Sequence, residues 1–497
     1  MITSRKIRKF GSPINFWRLL FPIVVSVMFV VLSPNEISFP QWLLALLLLE
    51  IPWLSYLMWK QKRDTDVPLF SMITFVYWIY YALALFWGAR TVSGVATYNE
   101  QEVSSQAITT ALELAVVGIA SLWLGMKSGL GRRAFTGRLP ELKSGNATTH
   151  YLRLLLVVGT ALGSWDGFPY LLGDGGRQLL MTIVSVLPVV AFVLLFRRYL
   201  RGESNYLDKA LVVGFLLLRF VTGVSSGWLG SFASIIIICT ALYIAERKRI
   251  PLRAVICVVA FTLFFQFGKK EFRAEYWKAQ AETSKIDRVT FWTETSLNKW
   301  SEALSDPTGM SLNEGLNTSL SRLSLLTQTA NVVDLTPSAV PFQYFQLYSY
   351  MAVAWIPRAV WPDKPSANEA NQFYQLAYGL STEEGLENVS MAVGVMTEGY
   401  ISFGWTGVIC AMFLIGAFLN AFQNIFFNET SGALMGAIGI TLLPQILAIE
   451  SQLAVYLGGV AQQVLFVLLV MLPVISLRSP RKSLPFTPVP LQTEYSK

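Results

Sequence analysis

The stretch WLLALLLLEIPWLSYLMWKQKR, residues 42–63, decides what kind of molecule this is. Apolar side chains run almost unbroken from Trp42 to Trp59, interrupted by Glu50, and the run closes on Lys60, Lys62 and Arg63. About 20 such residues, rising 1.5 Å each in a helix, cover a hydrocarbon core of roughly 30 Å. Lys and Arg just beyond the end mark the cytoplasmic side. The pattern recurs along most of the 497 residues, which are 53% hydrophobic and 14% charged, with a mean hydropathy of +0.48. Ordinary soluble domains carry roughly 25% charged residues. Nothing alternates like the strands of an outer-membrane barrel. The composition predicts an all-α polytopic membrane protein.

Outward from that stretch, spans are expected near 16–32, 40–58, 66–88, 106–126, 151–165, 178–196, 210–226, 228–245 and 252–268, and again near 402–422, 432–448 and 454–477. No small-residue cleavage site follows Leu32, so the first is expected to be retained rather than removed as a signal peptide. The net charge is +8, and basic residues cluster in short connectors: SRKIRK (4–9), KQKR (60–63), KSGLGRR (127–133), RRYLR (197–201), RKR (247–249) and RSPRK (478–482). Placing every cluster in the cytoplasm orients the whole chain without contradiction and puts both termini there. That distribution also argues against a nucleic-acid partner. The expected organisation is a bundle of about nine spans over 1–268, a large outer segment over 269–400, three closing helices over 401–478 and a cytoplasmic tail over 479–497.

The three cysteines, Cys239, Cys257 and Cys410, fall in expected spans and read as small packing residues. With one histidine, His150, and no metal-ligand spacing, neither a metal site nor another cofactor is expected.

The outer segment breaks the regular pattern. Acids outnumber bases there by 15 to 10, and a structureless loop of this length is improbable, so a cap of amphipathic helices is expected. Its cations are few. Arg273 follows the ninth span in GKKEFRAEYWK, and Arg322 lies beside a leucine stripe in LNTSLSRLSLLTQ. Arg358 and Lys364 share the proline-framed stretch IPRAVWPDKP (356–365) with Asp363. Arg219 sits in an expected span and would reach the same outer face from below. A guanidinium offers five donors in a fixed fork that suits adjacent phosphate oxygens, so converging arginines would hold a diphosphate. The competing reading is that each pairs with a carboxylate or snorkels to headgroups. Asp334, Asp363 and Glu398 are the candidate bases, with Glu398 placed where the chain returns to the membrane. Glu50, Glu113 and Glu450 are further ionisable groups in or near expected hydrocarbon, where charge is costly.

VPFQYFQLYSYMAVAWIPRAVWPDKPSANEANQF, followed by MAVGVMTEGYISFGWTGV, resembles the late outer loop of bacterial O-antigen polymerases, the Wzy-type oligosaccharide repeat-unit polymerases. The shared features are an iPR-x-x-WP-x-KP stretch, a later glutamate and an FGxxG return, over roughly residues 320–410. The resemblance implies a metal-independent, GT-C-like membrane glycosyltransferase with about 12 transmembrane helices, in the bacterial inner membrane. Such an enzyme joins polyprenyl-diphosphate-linked oligosaccharide repeat units into an O-antigen or exopolysaccharide, with a chain-length regulator protein as a further partner. Arg358 and Lys364 fall on the motif's basic positions and Glu398 on its glutamate. Arg219, Arg273, Arg322 and Asp363 are added from charge and position. An O-antigen ligase and a lipid-linked oligosaccharide flippase remain alternatives.

Overall fold

The computed structural model describes residues 16–476 apart from 63–64, 88–90, 94–99, 134–138, 166–167, 172, 228, 277–283, 322–323, 355, 357–360, 362, 367, 388–390, 392 and 429–430. Eleven helices precede residue 269: α1 (Phe16–Leu32), α2 (Phe39–Lys62), α3 (Leu69–Tyr77), α4 (Ala84–Trp87), α5 (Ser105–Lys127), α6 (Leu130–Arg133), α7 (Asn146–Gly163), α8 (Gly173–Arg201), α9 (Tyr206–Ser225), α10 (Leu229–Arg247) and α11 (Leu252–Phe267). A π-helical segment, Trp78–Leu83, joins α3 to α4. The segment expected to form a cap holds α12 (Lys269–Tyr276), α13 (Lys285–Ser305), α14 (Met310–Ser321), α15 (Leu326–Leu335), α16 (Gln346–Ala354) and α17 (Glu369–Ala377). The chain closes with α18 (Val395–Phe426), α19 (Gly432–Leu447), α20 (Leu453–Gly458) and α21 (Val460–Met471).

This is an all-α, multi-pass membrane protein. Each expected crossing overlaps helix among the described residues. Six helices among the described residues are long and apolar enough to cross a membrane as they stand, and the pair α11–α12, bent by 56°, would make a seventh. The expected twelve thins for physical reasons. α19 is a 16-residue apolar helix and α9 carries Asp208, Lys209 and Arg219.

The connectors expected on one side do meet at one end. Lys248 Nζ lies 3.3 Å from Asp66 Oδ1, and Thr65 bridges Asn428. The short strands β1 (Thr91–Ser93) and β2 (Glu100–Glu102) form a hairpin; β3 (Glu141–Leu142) pairs antiparallel with β4 (Ile475–Ser476), which ties the connector after α6 to the end of the closing helices.

The main packing unit is α5 against α18, side by side and parallel. Glycines let the backbones touch. A β-carbon at Gly125 would collide with the Phe413 carbonyl, one at Gly416 with the Leu122 carbonyl, and one at Gly131 with the Ala417 carbonyl. Small residues serve this purpose inside membranes, where packing and hydrogen bonding hold helices together.

α18 is not one straight helix. Phe403 (φ −144°, ψ 20°) and Gly404 (φ 61°, ψ −142°) break it. Gly407 presses on the carbonyl of Gly399, although eight residues of straight helix would hold them about 12 Å apart. The short arm, 395–402, therefore folds back along the long one. Its start lies deep in the bundle: Met396 meets Gly118, and Val395 shares a small void with Leu122 and Ile415. The boundary expected at 400 thus runs through a re-entrant helix.

Packing this tight predicts its own test. Gly407→Leu and Gly416→Leu should destabilise the protein by at least about 1–3 kcal/mol. Both should lose the monodisperse peak in detergent at lower temperature than the parent. Gly214→Leu, at an open position on α9, should match the parent.

Candidate functional site

Three irregular segments meet beside the re-entrant arm: the π-helical turn at Trp78–Leu83, the α18 break and the 448–452 link between α19 and α20. Backbone N–H groups of adjoining segments claim carbonyls at or beside them. Leu325 N–H donates to the Tyr80 carbonyl at 3.1 Å, Gly394 N–H to the Glu450 carbonyl at 2.8 Å, and Gln343 and Tyr344 N–H to the carbonyls of Ile401 and Ser402 at 3.0 Å. Non-helical backbone survives at membrane depth only where protein supplies such partners, and binding sites of membrane proteins concentrate there.

Glu398 stands at the middle of this junction with 0% exposure. Its Oε2 accepts the Leu453 N–H at 2.6 Å, which caps the positive end of α20. Its Oε1 is buried and finds no hydrogen-bond partner among the described residues. Thr397, next to it, shares a hydrogen bond of 2.7 Å with Thr329, which in turn meets the Tyr81 hydroxyl at 3.0 Å. A hydroxyl chain thus runs from the π-helical turn through α15 to the re-entrant arm. On the neighbouring link, Glu450 accepts a hydrogen bond from the Tyr80 phenol. Gln452 Nε2 donates to Asn368 Oδ1 at 3.1 Å, which fastens the start of α17 to the same link. Tyr348 of α16 is near enough for its phenol to sense the Glu398 charge.

The chain belongs to the DUF8712 family. That family, described as a domain of unknown function, matches residues 70–441. No curated protein and no solved structure matches the chain. The DUF8712 match takes in Tyr80, Tyr81, Thr329, Thr397 and Glu398, and ends before Glu450 and Leu453.

The other expected site residues scatter. Arg358 and Arg322 lie outside the described residues. Asp363 is exposed. Lys364 is buried, and its Nζ donates to the Ile356 and Val353 carbonyls at 2.6 and 3.2 Å, so its charge faces the C-terminal end of α16 rather than solvent. Arg273 is half-buried on α12. Arg219 lies over the Phe215 ring at 5.1 Å on α9, which packs on α8, α10 and α13 and so stands apart from the Glu398 junction. Asp334 takes the Ser104 hydroxyl at 2.8 Å and its N–H at 3.0 Å, which makes it a brace for the start of α5. Glu113 is exposed on α5, and Glu50 is half-buried on α2. Among the described residues, no three His, Cys, Asp or Glu side chains converge as a metal site would require.

Of the residues now grouped, Tyr80, Tyr81, Thr329 and Thr397 carry no motif in the sequence. The polar interruption IESQ (449–452) between two apolar runs was the legible sign of the 448–452 break.

Lys364 yields a direct check. An amine-reactive reagent should label it far more slowly than the exposed Lys285. Lys364→Met should cost about 1.5–3 kcal/mol of stability, because two carbonyls lose a charged donor. Equal labelling of both lysines would contradict the geometry.

Proposed function

We propose that this DUF8712 protein transfers glycan between polyprenyl-diphosphate carriers at the outer face of the bacterial inner membrane, as an oligosaccharide repeat-unit polymerase. The observation that carries the reading is Glu398: a carboxylate on a re-entrant helix, anchored through one oxygen and with the other left over. Its position matches the glutamate of the motif that resembles Wzy-type polymerases. A sugar hydroxyl attacking an anomeric carbon must lose a proton, and a positioned carboxylate accepts one, a role worth about 10²–10⁴ in rate. The departing diphosphate gathers negative charge, which Arg358 would stabilise as a two-pronged donor. In the described conformation Glu398 is closed to water, so substrate access requires α16 or α17 to move. Twelve crossings and a GT-C-like architecture belong to this proposal.

The broken helices favour one rival. Discontinuous helices with intramembrane carboxylates are also the build of secondary transporters. A lipid-linked oligosaccharide flippase would use Glu398 and Glu450 as a coupling pair rather than as a base.

The decisive measurement is a gel of lipid-linked and surface glycans from a strain lacking the gene. A polymerase leaves single repeat units at the outer face, a ligase leaves full-length polymer on its carrier, and a flippase leaves repeat units on the cytoplasmic leaflet. Complementation sharpens the site. Glu398→Gln keeps an acceptor for Leu453 N–H, so the variant should insert and fold normally while losing at least about 10²-fold of polymer. Arg358→Ala should also abolish polymer, and Arg358→Lys should restore little. Parental polymer from Glu398→Gln would remove the carboxylate from the mechanism.

A further inference from the structure

Two cavities lie along one face of α10, away from the Glu398 junction. The first, about 540 Å³, opens at the basic end of the bundle and is lined by Leu200, Tyr243, Arg247 and Arg249. The second, about 440 Å³, is apolar and runs between α9, α10 and α11, where Leu216, Phe220, Phe232, Ile236, Thr240 and Ala254 line it. On α10, residues 232, 236, 240, 243 and 247 follow at intervals of three and four, so they form a single stripe. One elongated ligand placed along that stripe would meet apolar surface first and guanidinium last.

The charges at the polar end are arranged for an anion. The nearby carboxylates already have cations. Glu246 receives Arg197 and Arg201, and Asp66 receives Lys248; Glu203 lies near Arg201. Lys248 adopts a left-handed turn (φ 52°) at the end of α10, with its amine turned to the Thr65 and Asp66 carbonyls at 3.1 Å. The turn leaves Arg247 and Arg249 on the cavity. Arg247 donates to the Leu200 carbonyl at 2.8 Å, and neither arginine forms an ion pair among the described residues. Both are exposed. The surrounding sequence is interfacial: Tyr199, Tyr206 and Leu252 are 44%, 87% and 63% exposed, as aromatic and apolar side chains are at headgroup level.

We propose that an anionic phospholipid binds along α10, its headgroup phosphate held by Arg247 and Arg249 and one acyl chain lying in the α9–α10–α11 groove. A basic pocket between membrane helices suits an anionic headgroup, and the adjoining groove supplies what a free phosphate could not use. The site is independent of the glycan reading.

The test is native mass spectrometry of the purified full-length protein with phosphatidylglycerol or phosphatidylcholine. The parent should retain phosphatidylglycerol at least tenfold more than phosphatidylcholine. Arg247→Gln combined with Arg249→Gln should bring the two lipids to near parity, whereas Arg253→Gln, an exposed charge outside both cavities, should keep the preference. Ala254→Trp, which fills the groove from an exposed position, should lower retention of both lipids. Every variant should elute as the parent does in size exclusion. Equal retention of both lipids by the parent would overturn the site, as would an unchanged preference in the double variant. Inorganic phosphate protecting the protein from heat as well as phosphatidylglycerol does would reduce it to an anion pocket without a lipid.

Discussion

The structure turns on one constraint: inside hydrocarbon, every peptide N–H and C=O must find a protein partner. A chain built only of straight helices meets it at once. This chain breaks its helices at Trp78–Leu83, at Phe403–Gly404 and at 448–452, and backbone groups of Leu325, Gly394, Gln343 and Tyr344 supply partners at or beside these breaks. Removing those partners would strand backbone carbonyls there. Glu398 is part of the same settlement, because its carboxylate gives the first N–H of α20 an acceptor. The junction that is best placed for chemistry is therefore also the one that holds the arms of the bundle together.

Charge is sorted with similar economy. At the basic end, Glu246 and Asp66 pair with Arg197, Arg201 and Lys248, while Arg247 and Arg249 line a surface cavity. In the cap, Asp306 receives Thr308 and Ser311, and those donors hold its carboxyl well below the usual range. Solvated turns there are set by local hydrogen bonds, whereas α5 and α18 are set by backbone contact through Gly125 and Gly416.

The six long apolar helices were readable because length and apolarity are one-dimensional properties, and connectors expected on one side are tied together at one end. The re-entrant arm was not readable. VMTEGYIS (395–402) has the polarity of a loop, and only Gly399 facing Gly407 reveals that it folds back. Glu398 was legible as a carboxylate at the membrane boundary; its depth was not. Lys364 was expected to hold a diphosphate and Asp334 was a candidate base, yet they brace α16 and α5. Ionic groups that cap helices and groups that bind ligands have the same letters. Only their neighbours tell them apart.

The α5–α18 pairing has a consequence for how the protein is made. Residue 127 ends the first partner and residue 395 begins the second, so the ribosome adds nearly 270 residues between them. At about 5–20 residues per second, α5 waits for its mate for roughly 13–54 s. Throughout that interval its glycine-lined face has no helix to lie against, and lipid or an insertion factor must cover it. Biogenesis of this bundle is thus a problem of safekeeping: an early segment is held in a state that only a late one can complete.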